Sequence, residues 1–386
     1  MDAKPYTIHI PQAALDDMKD RLAHTRWVEE PATMGWNYGL PQDYLKELVD
    51  YWCTAFDWRE QESELNQLPH FMTELDGQPI HFLHVRSQEP HALPLVLTHG
   101  WPSSFIQFLD VIGPLSNPRQ HGGNPADAFH LVIPSVPGFG FSSPLKDVGW
   151  TLERTARAWA DLMHGLGYSR YGAQGGDTGA FISPELGKID PEHVVGVHVN
   201  AATYGFIPYG PVDAEEMATF SEAEQVRLAR LAHYEENLSG YYYIQSKRPQ
   251  TLAHALNDSP AGMLAWMMDI FKEFTNPTVA LPEQSISRDR MLTNATLYWL
   301  TGTMGSSIRM YYEGAHAAGS YDEQPSMIPT GVAAFPTDVA IRRYAEMSYS
   351  IIHWSEFDRG GHFASLEAPD LLIEDVRAFF RPLRGA

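Results

Sequence analysis

Cys53 is the only cysteine among 386 residues, so neither an intrachain disulfide nor a cysteine-built metal site is available. Basic residues are scarce beside acidic ones: 27 Lys and Arg stand against 48 Asp and Glu, a formal net charge of -21. A surface this acidic repels nucleic acid and anionic membranes and favours a small neutral ligand. No apolar run reaches the ~20 residues needed to span a bilayer. The opening Met1-Asp-Ala-Lys-Pro-Tyr6 has neither the basic stretch nor the apolar core of an export signal. The expectation is a cytoplasmic protein without a membrane anchor. The 17 histidines include no His-Glu-x-x-His pair and no close His/carboxylate grouping, so no metal is expected. Internal repeats and low-complexity linkers are missing too. What is present, 44% hydrophobic residues with ten tryptophans, suffices for one large core with an insertion.

Leu15, Met18 and Leu22, then Leu45, Leu48, Val49 and Trp52, recur at helical spacing and predict two amphipathic helices in an N-terminal arm. Short strand-like runs at 72–75 and 80–85 flank Asp76-Gly77, a strong hairpin signal. Continuous apolar runs at 94–98, 129–133 and 194–199 have the character of strands buried on both faces. With a helical pattern at 151–166 between them they predict a parallel sheet whose site lies beyond the strands' carboxyl ends. From about 201 to 320 only helical segments are evident, one opened by a capping box at Ser221 and Glu224. These predict a helical cap. Strand character returns at 328–335 and 350–355, and a helix at 369–380 closes the chain. The division is an arm at 1–90, an α/β core at 91–200 and 321–386, and a cap at 201–320.

The chemistry gathers where strands meet glycines. Tyr171-Gly-Ala-Gln-Gly-Gly-Asp177-Thr-Gly-Ala180 resembles a nucleophile elbow, a sharp strand-to-helix turn that needs small residues two before and two after its tip. Here those are Gly175 and Gly179, and the tip is a carboxylate. A carboxylate is already ionised at neutral pH and attacks a saturated carbon without a base, leaving an ester that an activated water can hydrolyse. The plain alternative is a glycine turn whose Asp caps the next helix.

His99-Gly-Trp-Pro-Ser103 follows a buried strand, where hydrolases of this architecture place a second oxyanion donor; the amides of Trp101 and Thr178 are the expected pair. His362, in Arg359-Gly-Gly-His-Phe-Ala364 after the last strand, is the expected general base. Asp338, ending Ala334-Phe-Pro-Thr-Asp338, is the expected acid behind it, with Glu313 and Asp322 as rivals. Adjacent tyrosines in Ser239-Gly-Tyr-Tyr-Tyr-Ile-Gln245 and Ser306-Ser-Ile-Arg-Met-Tyr-Tyr-Glu313 offer phenols to a leaving oxygen. The residues alone do not choose among the five.

Taken together, these motifs resemble the epoxide hydrolases of the microsomal type and their soluble microbial relatives, over nearly the whole chain. His99-Gly-Trp-Pro matches the family's oxyanion loop, Pro137-Gly-Phe-Gly-Phe-Ser142 its next glycine loop, Gly175-Gly-Asp177 its nucleophile and Gly360-Gly-His362-Phe its base. The resemblance selects Tyr241 from Gly-Tyr-x-x-Ile-Gln and Tyr311 from the segment after Ser-Ser-x-Arg. It places the acid on Asp338, where many members carry glutamate. It implies an α/β-hydrolase fold, a homodimer, no cofactor, and conversion of a hydrophobic epoxide and water to a diol, as in detoxification or aromatic hydrocarbon catabolism. Trp101, Phe139 and Trp150 are the expected apolar pocket. A haloalkane or haloacid dehalogenase would share the Asp and His but has no need of phenols. A non-catalytic ligand-binding relative would not need every reactive position filled.

Overall fold

The computed structural model describes residues 1–31, 33–208, 210, 212–317 and 325–385. Nine strands form one sheet: β1 Lys4–Pro5, β2 His70–Leu75, β3 Gln78–Val85, β4 Leu93–Thr98, β5 Phe129–Pro134, β6 Tyr171–Gly176, β7 Val194–Asn200, β8 Ser326–Ala334 and β9 Tyr349–Glu356. Their spatial order is β1-β2-β3-β5-β4-β6-β7-β8-β9. The first three strands are antiparallel, β3 meets β5 antiparallel, and the strands from β5 through to β9 run parallel. The α/β-hydrolase expectation is met. The β2–β3 turn puts Asp76 at φ 48° and Gly77 at φ 75°, the paired left-handed residues that an Asp-Gly hairpin turn requires.

The parallel strands are apolar because helices cover both faces: Leu95, Val96, Leu131, Val132 and Val199 are buried completely. Their register decides where function can sit. Thr98 lies beside Gly175, Gly175 beside Val199, Val199 beside Val332, and Val332 beside Trp354. Strands β4, β6, β7, β8 and β9 therefore end in one row, and the loops after them converge on one edge.

The arm's helices Gln12–Ala23 and Gln42–Thr54 form as the apolar spacing predicts. A further helix, Trp58–Leu65, capped by the Asp57 side chain, carries no such stripe and escaped the pattern. Residues 1–90 also supply β1 and the 70–85 hairpin to the central sheet. The arm fastens the cap as well. Trp52, fully buried, donates from its indole to Thr296 at 2.9 Å, and Tyr44 donates to Glu283 at 2.7 Å. The cap itself is helical, including Glu222–His233 with the Ser221/Glu224 box, Gly240–Lys247, Pro249–Leu256, Pro260–Phe274, Arg288–Thr301 and Arg309–His316.

Candidate active site

β6 ends at Gly176 and the helix Gly179–Ile189 starts three residues later, leaving Asp177 at the tip with φ 54°. A non-glycine residue is left-handed only when its surroundings impose it. The glycines permit the turn: a Cβ on Gly175 would lie 2.4 Å from the Gly179 carbonyl oxygen, and one on Gly179 would lie 2.0 Å from that of Thr98. On the β4 loop a Cβ at Gly100 would lie 2.4 Å from Asp177 Oδ1.

The two oxygens of Asp177 have different surroundings. Oδ1 accepts the Trp101 amide at 2.9 Å and the Thr178 hydroxyl at 3.0 Å, and the Thr178 amide also bonds the carboxylate. Oδ2 faces His362 Nε2, at 3.4 Å. Both expected oxyanion amides thus bond the Asp177 carboxylate, that of Trp101 on Oδ1. Burial raises the Asp177 pKa, but His362 and the two amides outweigh it and hold the group below the ordinary carboxylate value.

The oxyanion loop is held from both sides. His99 is buried and pushed down to about 4, hence neutral, and donates from Nδ1 to the Gly100 carbonyl at 3.0 Å while Nε2 accepts the Val136 amide at 3.1 Å. From the cap, Asn294 donates to Pro102 O at 2.7 Å and Tyr298 to Ser103 O at 2.6 Å.

His362 sits on the loop after β9, its amide bonded to the Phe274 carbonyl of the cap at 3.0 Å and its ring against that of Phe274 at 5.3 Å. Burial alone would lower its pKa, yet the Asp177 carboxylate, with Asp338 and Glu367 behind it, raises it above the ordinary value. Asp338 lies close enough to add its charge, but its carboxylate is taken by backbone amides: Phe335 at 2.8 Å and Ala201. No hydrogen bond joins it to His362 among the described residues. Burial pushes Asp338 up to about 6. Glu367 escaped the sequence reading. It accepts the Phe363 amide at 3.0 Å and the cap's Asn276 amide at 2.7 Å, so it ties the base loop to the end of the Pro260–Phe274 helix. Burial raises it to about 7. A glutamate five residues beyond a histidine carries no signal of that kind. Of the rival acids, Glu313 lies in the cap helix Arg309–His316, and Asp322 lies outside the described residues.

Of the five tyrosines in the two cap segments, the fold brings two onto Trp101. Tyr241 stacks on its ring at 5.7 Å and 13°, Tyr311 meets it edge-on at 5.7 Å, and the two phenol rings stand 6.1 Å apart. Tyr243 and Tyr312 are exposed, and Tyr242 packs outside against Tyr311. Burial, their neighbouring phenols and the charge of Asp177 raise both Tyr241 and Tyr311 well above the ordinary value, so both are protonated donors. Tyr234, not anticipated, donates to the Tyr241 oxygen at 3.4 Å from a π-helical turn, Tyr234–Leu238.

Two expected pocket residues, Phe139 and Trp150, have these neighbours. The ring of Phe139 packs on His99 and Tyr298, behind the oxyanion loop, and Trp150 lies beneath the Arg154 guanidinium at 4.1 Å. Neither lines the cavity at Asp177. An aromatic residue beside a motif has the same sequence pattern whether it faces a ligand or the core. Among the described residues a single group, His164, Asp190 and His193, has metal-ligand spacing; it lies at the opposite, amino end of β6 and β7, where Asp190 accepts from His193 and Tyr171 at 2.6 Å. No described helix is long and apolar enough to cross a membrane.

Residues 3–108 match the family described as the epoxide hydrolase N terminus, and 94–258 match the α/β-hydrolase fold. A Stigmatella aurantiaca protein with a provisional epoxide hydrolase name is 44% identical over 99% of this chain and 85% of its own length. Epoxide hydrolase 1 of Sus scrofa is 34% identical over 97% of this chain and 88% of its length. The Aspergillus niger epoxide hydrolase structure superposes with a TM-score of 0.87 at 30% identity, over 99% of this chain and 97% of its own. With an elbow carboxylate, an opposed histidine and relatives of this similarity, the chain belongs to the epoxide hydrolase family of the α/β-hydrolase fold.

Proposed function

We propose that the protein adds water to a hydrophobic epoxide to give a vicinal diol, through an ester on Asp177. The observation that carries this reading is the asymmetry of Asp177: Oδ1 bound at 2.9 Å by the Trp101 amide and Oδ2 facing His362 at 3.4 Å, with the half-buried phenols of Tyr241 and Tyr311 nearby on Trp101. Oδ2 attacks a ring carbon, the carbon–oxygen bond breaks, and the oxygen takes a proton from Tyr241 or Tyr311. An alkoxide is strongly basic, so this proton matters to the step. The aromatic wall of Trp101, Tyr241 and Tyr311 fits an apolar substrate.

Esterification then changes His362. The largest of the negative charges that raised its pKa is gone, and burial, which lowers it, remains. The imidazole therefore becomes a neutral base when a base is needed. It takes one proton from water as the water oxygen bonds to the ester carbonyl, and the amides of Trp101 and Thr178 hold the resulting oxyanion. Collapse expels the diol alkoxide, which takes the proton back from His362. The second water proton leaves with the regenerated carboxyl and restores the tyrosine, so atoms and protons balance. Asp338 acts through its charge on the imidazolium. The acidic surface and lone cysteine suit a cytoplasmic setting.

The test is to mix the His362→Gln variant with an epoxide and with a matched haloalkane. The reading expects a protein heavier by one epoxide that persists, and diol turnover by wild type without halide release. Halide release without diol would make the protein a dehalogenase, and an unmodified variant that still turns over would remove His362 from the mechanism.

A further inference from the structure

A small cavity lies on the core side of Asp177, lined by Gly100, Gln107, Gly176, Asp177, Asn200 and His362 among others. About 10 Å³ of it is open to the centre of a water molecule, close to the minimum needed to hold one water. Two amide side chains border it without full hydrogen bonding. Asn200 is 5% exposed, and its Oδ1 accepts Gln174 Nε2 at 3.0 Å; that bond fixes which way the amide points and leaves Nδ2 with no protein partner among the described residues. Gln107, 9% exposed, has none for its amide. Both residues line the cavity, so a water held there can supply the partners their amides lack. The absence of a side chain at Gly176 also makes room, since a Cβ there would fall 2.6 Å from Asn200 Nδ2.

The backbone next to Asn200 is shaped for the site too. Ala201 is left-handed at φ 49°, and its amide turns to the Asp338 carboxylate. A strained non-glycine residue at a strand end, between two groups of one site, is the kind of outlier that marks function.

Building on the ester reading above, we propose that this cavity is the seat of the hydrolytic water and that Asn200 is a catalytic residue that holds it. The water accepts a hydrogen bond from Asn200 Nδ2 into one lone pair and directs the other at the Asp177 carbonyl carbon. One of its hydrogens goes to His362 Nε2, and the second meets the Gln107 carbonyl oxygen. As the new carbon–oxygen bond forms, the first hydrogen passes to His362 as a proton and no other group changes charge apart from the oxyanion. The cavity lies away from the phenols, none of which lines it, so an epoxide bound against Tyr241 and Tyr311 does not displace the water.

The experiment follows the two half-reactions separately. Wild type, Asn200→Ala and Gln174→Met are mixed with an epoxide in rapid quench, and the ester is counted by intact mass against time. In Asn200→Ala, ester formation should stay within about threefold of wild type while its hydrolysis slows by roughly 10- to 100-fold, so the ester accumulates. Gln174→Met, which frees the amide to turn, should show the same split more weakly and decides the matter if Asn200→Ala fails to fold. Hydrolysis at the wild-type rate in the folded variants overturns the proposal. An equal fall in both half-reactions also overturns it, because Asn200 would then be only structural. If wild type never forms an ester, the ester reading itself has failed, which is a separate result.

Discussion

Asp375 and Asp177 both have histidine partners, and their oxygens are occupied differently. Asp375, on the closing helix Pro369–Phe380, is met by His198 at 2.9 Å on one oxygen and by His353 at 2.7 Å, together with the Ser355 hydroxyl, on the other. Burial would raise its pKa, but these bonds outweigh it and hold it far below the carboxylate range. Asp177 keeps one oxygen almost free, stands on a strained backbone, and borders open space. Residue types are the same; saturation differs. A carboxylate whose acceptor capacity is filled has nothing left to offer a substrate, whereas one left partly unfilled beside a cavity does.

The comparison breaks most sharply if the two are exchanged in effect. Asp177→Asn should lower turnover by roughly 10⁴- to 10⁶-fold with the fold intact, as measured by diol formation and thermal melting. The cap phenols come next: each of Tyr241→Phe and Tyr311→Phe should slow ester formation by roughly 10- to 1,000-fold, and the double variant should nearly abolish it. Stopped-flow alkylation rates check this, and wild-type rates in the double variant would exclude the phenols from the step. Asp338→Asn should slow ester hydrolysis by roughly 10- to 100-fold while sparing ester formation, since only the electrostatic support of His362 is removed. A rapid-quench count of ester distinguishes the two.

Asp375→Asn should leave the turnover number of the folded enzyme near wild type and lower stability by about 3 kcal/mol at neutral pH, because the buried His198 and the partly buried His353 and Ser355 lose a carboxylate partner. The pH dependence has a definite sign. The folded pKa of Asp375 is depressed, so its stabilisation is present above the unfolded value of about 3.9 and is lost as pH falls below it. Urea titrations from about pH 7 to pH 3 should show a shallower acid-side decline in the variant.

The site was legible where the chemistry needs unusual backbone. Glycines two before and two after Asp177, and those ahead of His362, are demanded by close contacts, so the sequence had to carry them. Tyr241 and Tyr311 could not be separated from their neighbours by pattern, because helical tyrosines look alike until the helix is placed over Trp101. Glu367 and Asn200 were out of reach for a different reason: each works through backbone amides or an empty space that no spacing encodes. Phe139 and Trp150 show that an aromatic residue near a motif can pack on a histidine or beneath an arginine, contacts that the motif does not reveal. The sheet was read nearly strand for strand, since buried parallel strands are continuous apolar runs, while the highly charged helix Trp58–Leu65 left no stripe to find.

The central claim is that Asp177 itself supplies the diol's new oxygen. One turnover of excess enzyme with an epoxide in heavy-oxygen water tests it most directly, with the diol analysed by mass spectrometry. The account predicts an unlabelled diol and label left in the Asp177 carboxylate, recovered in its peptide. A diol fully labelled in that first turnover, with Asp177 unlabelled, would mean that water attacks the epoxide directly and would contradict the account.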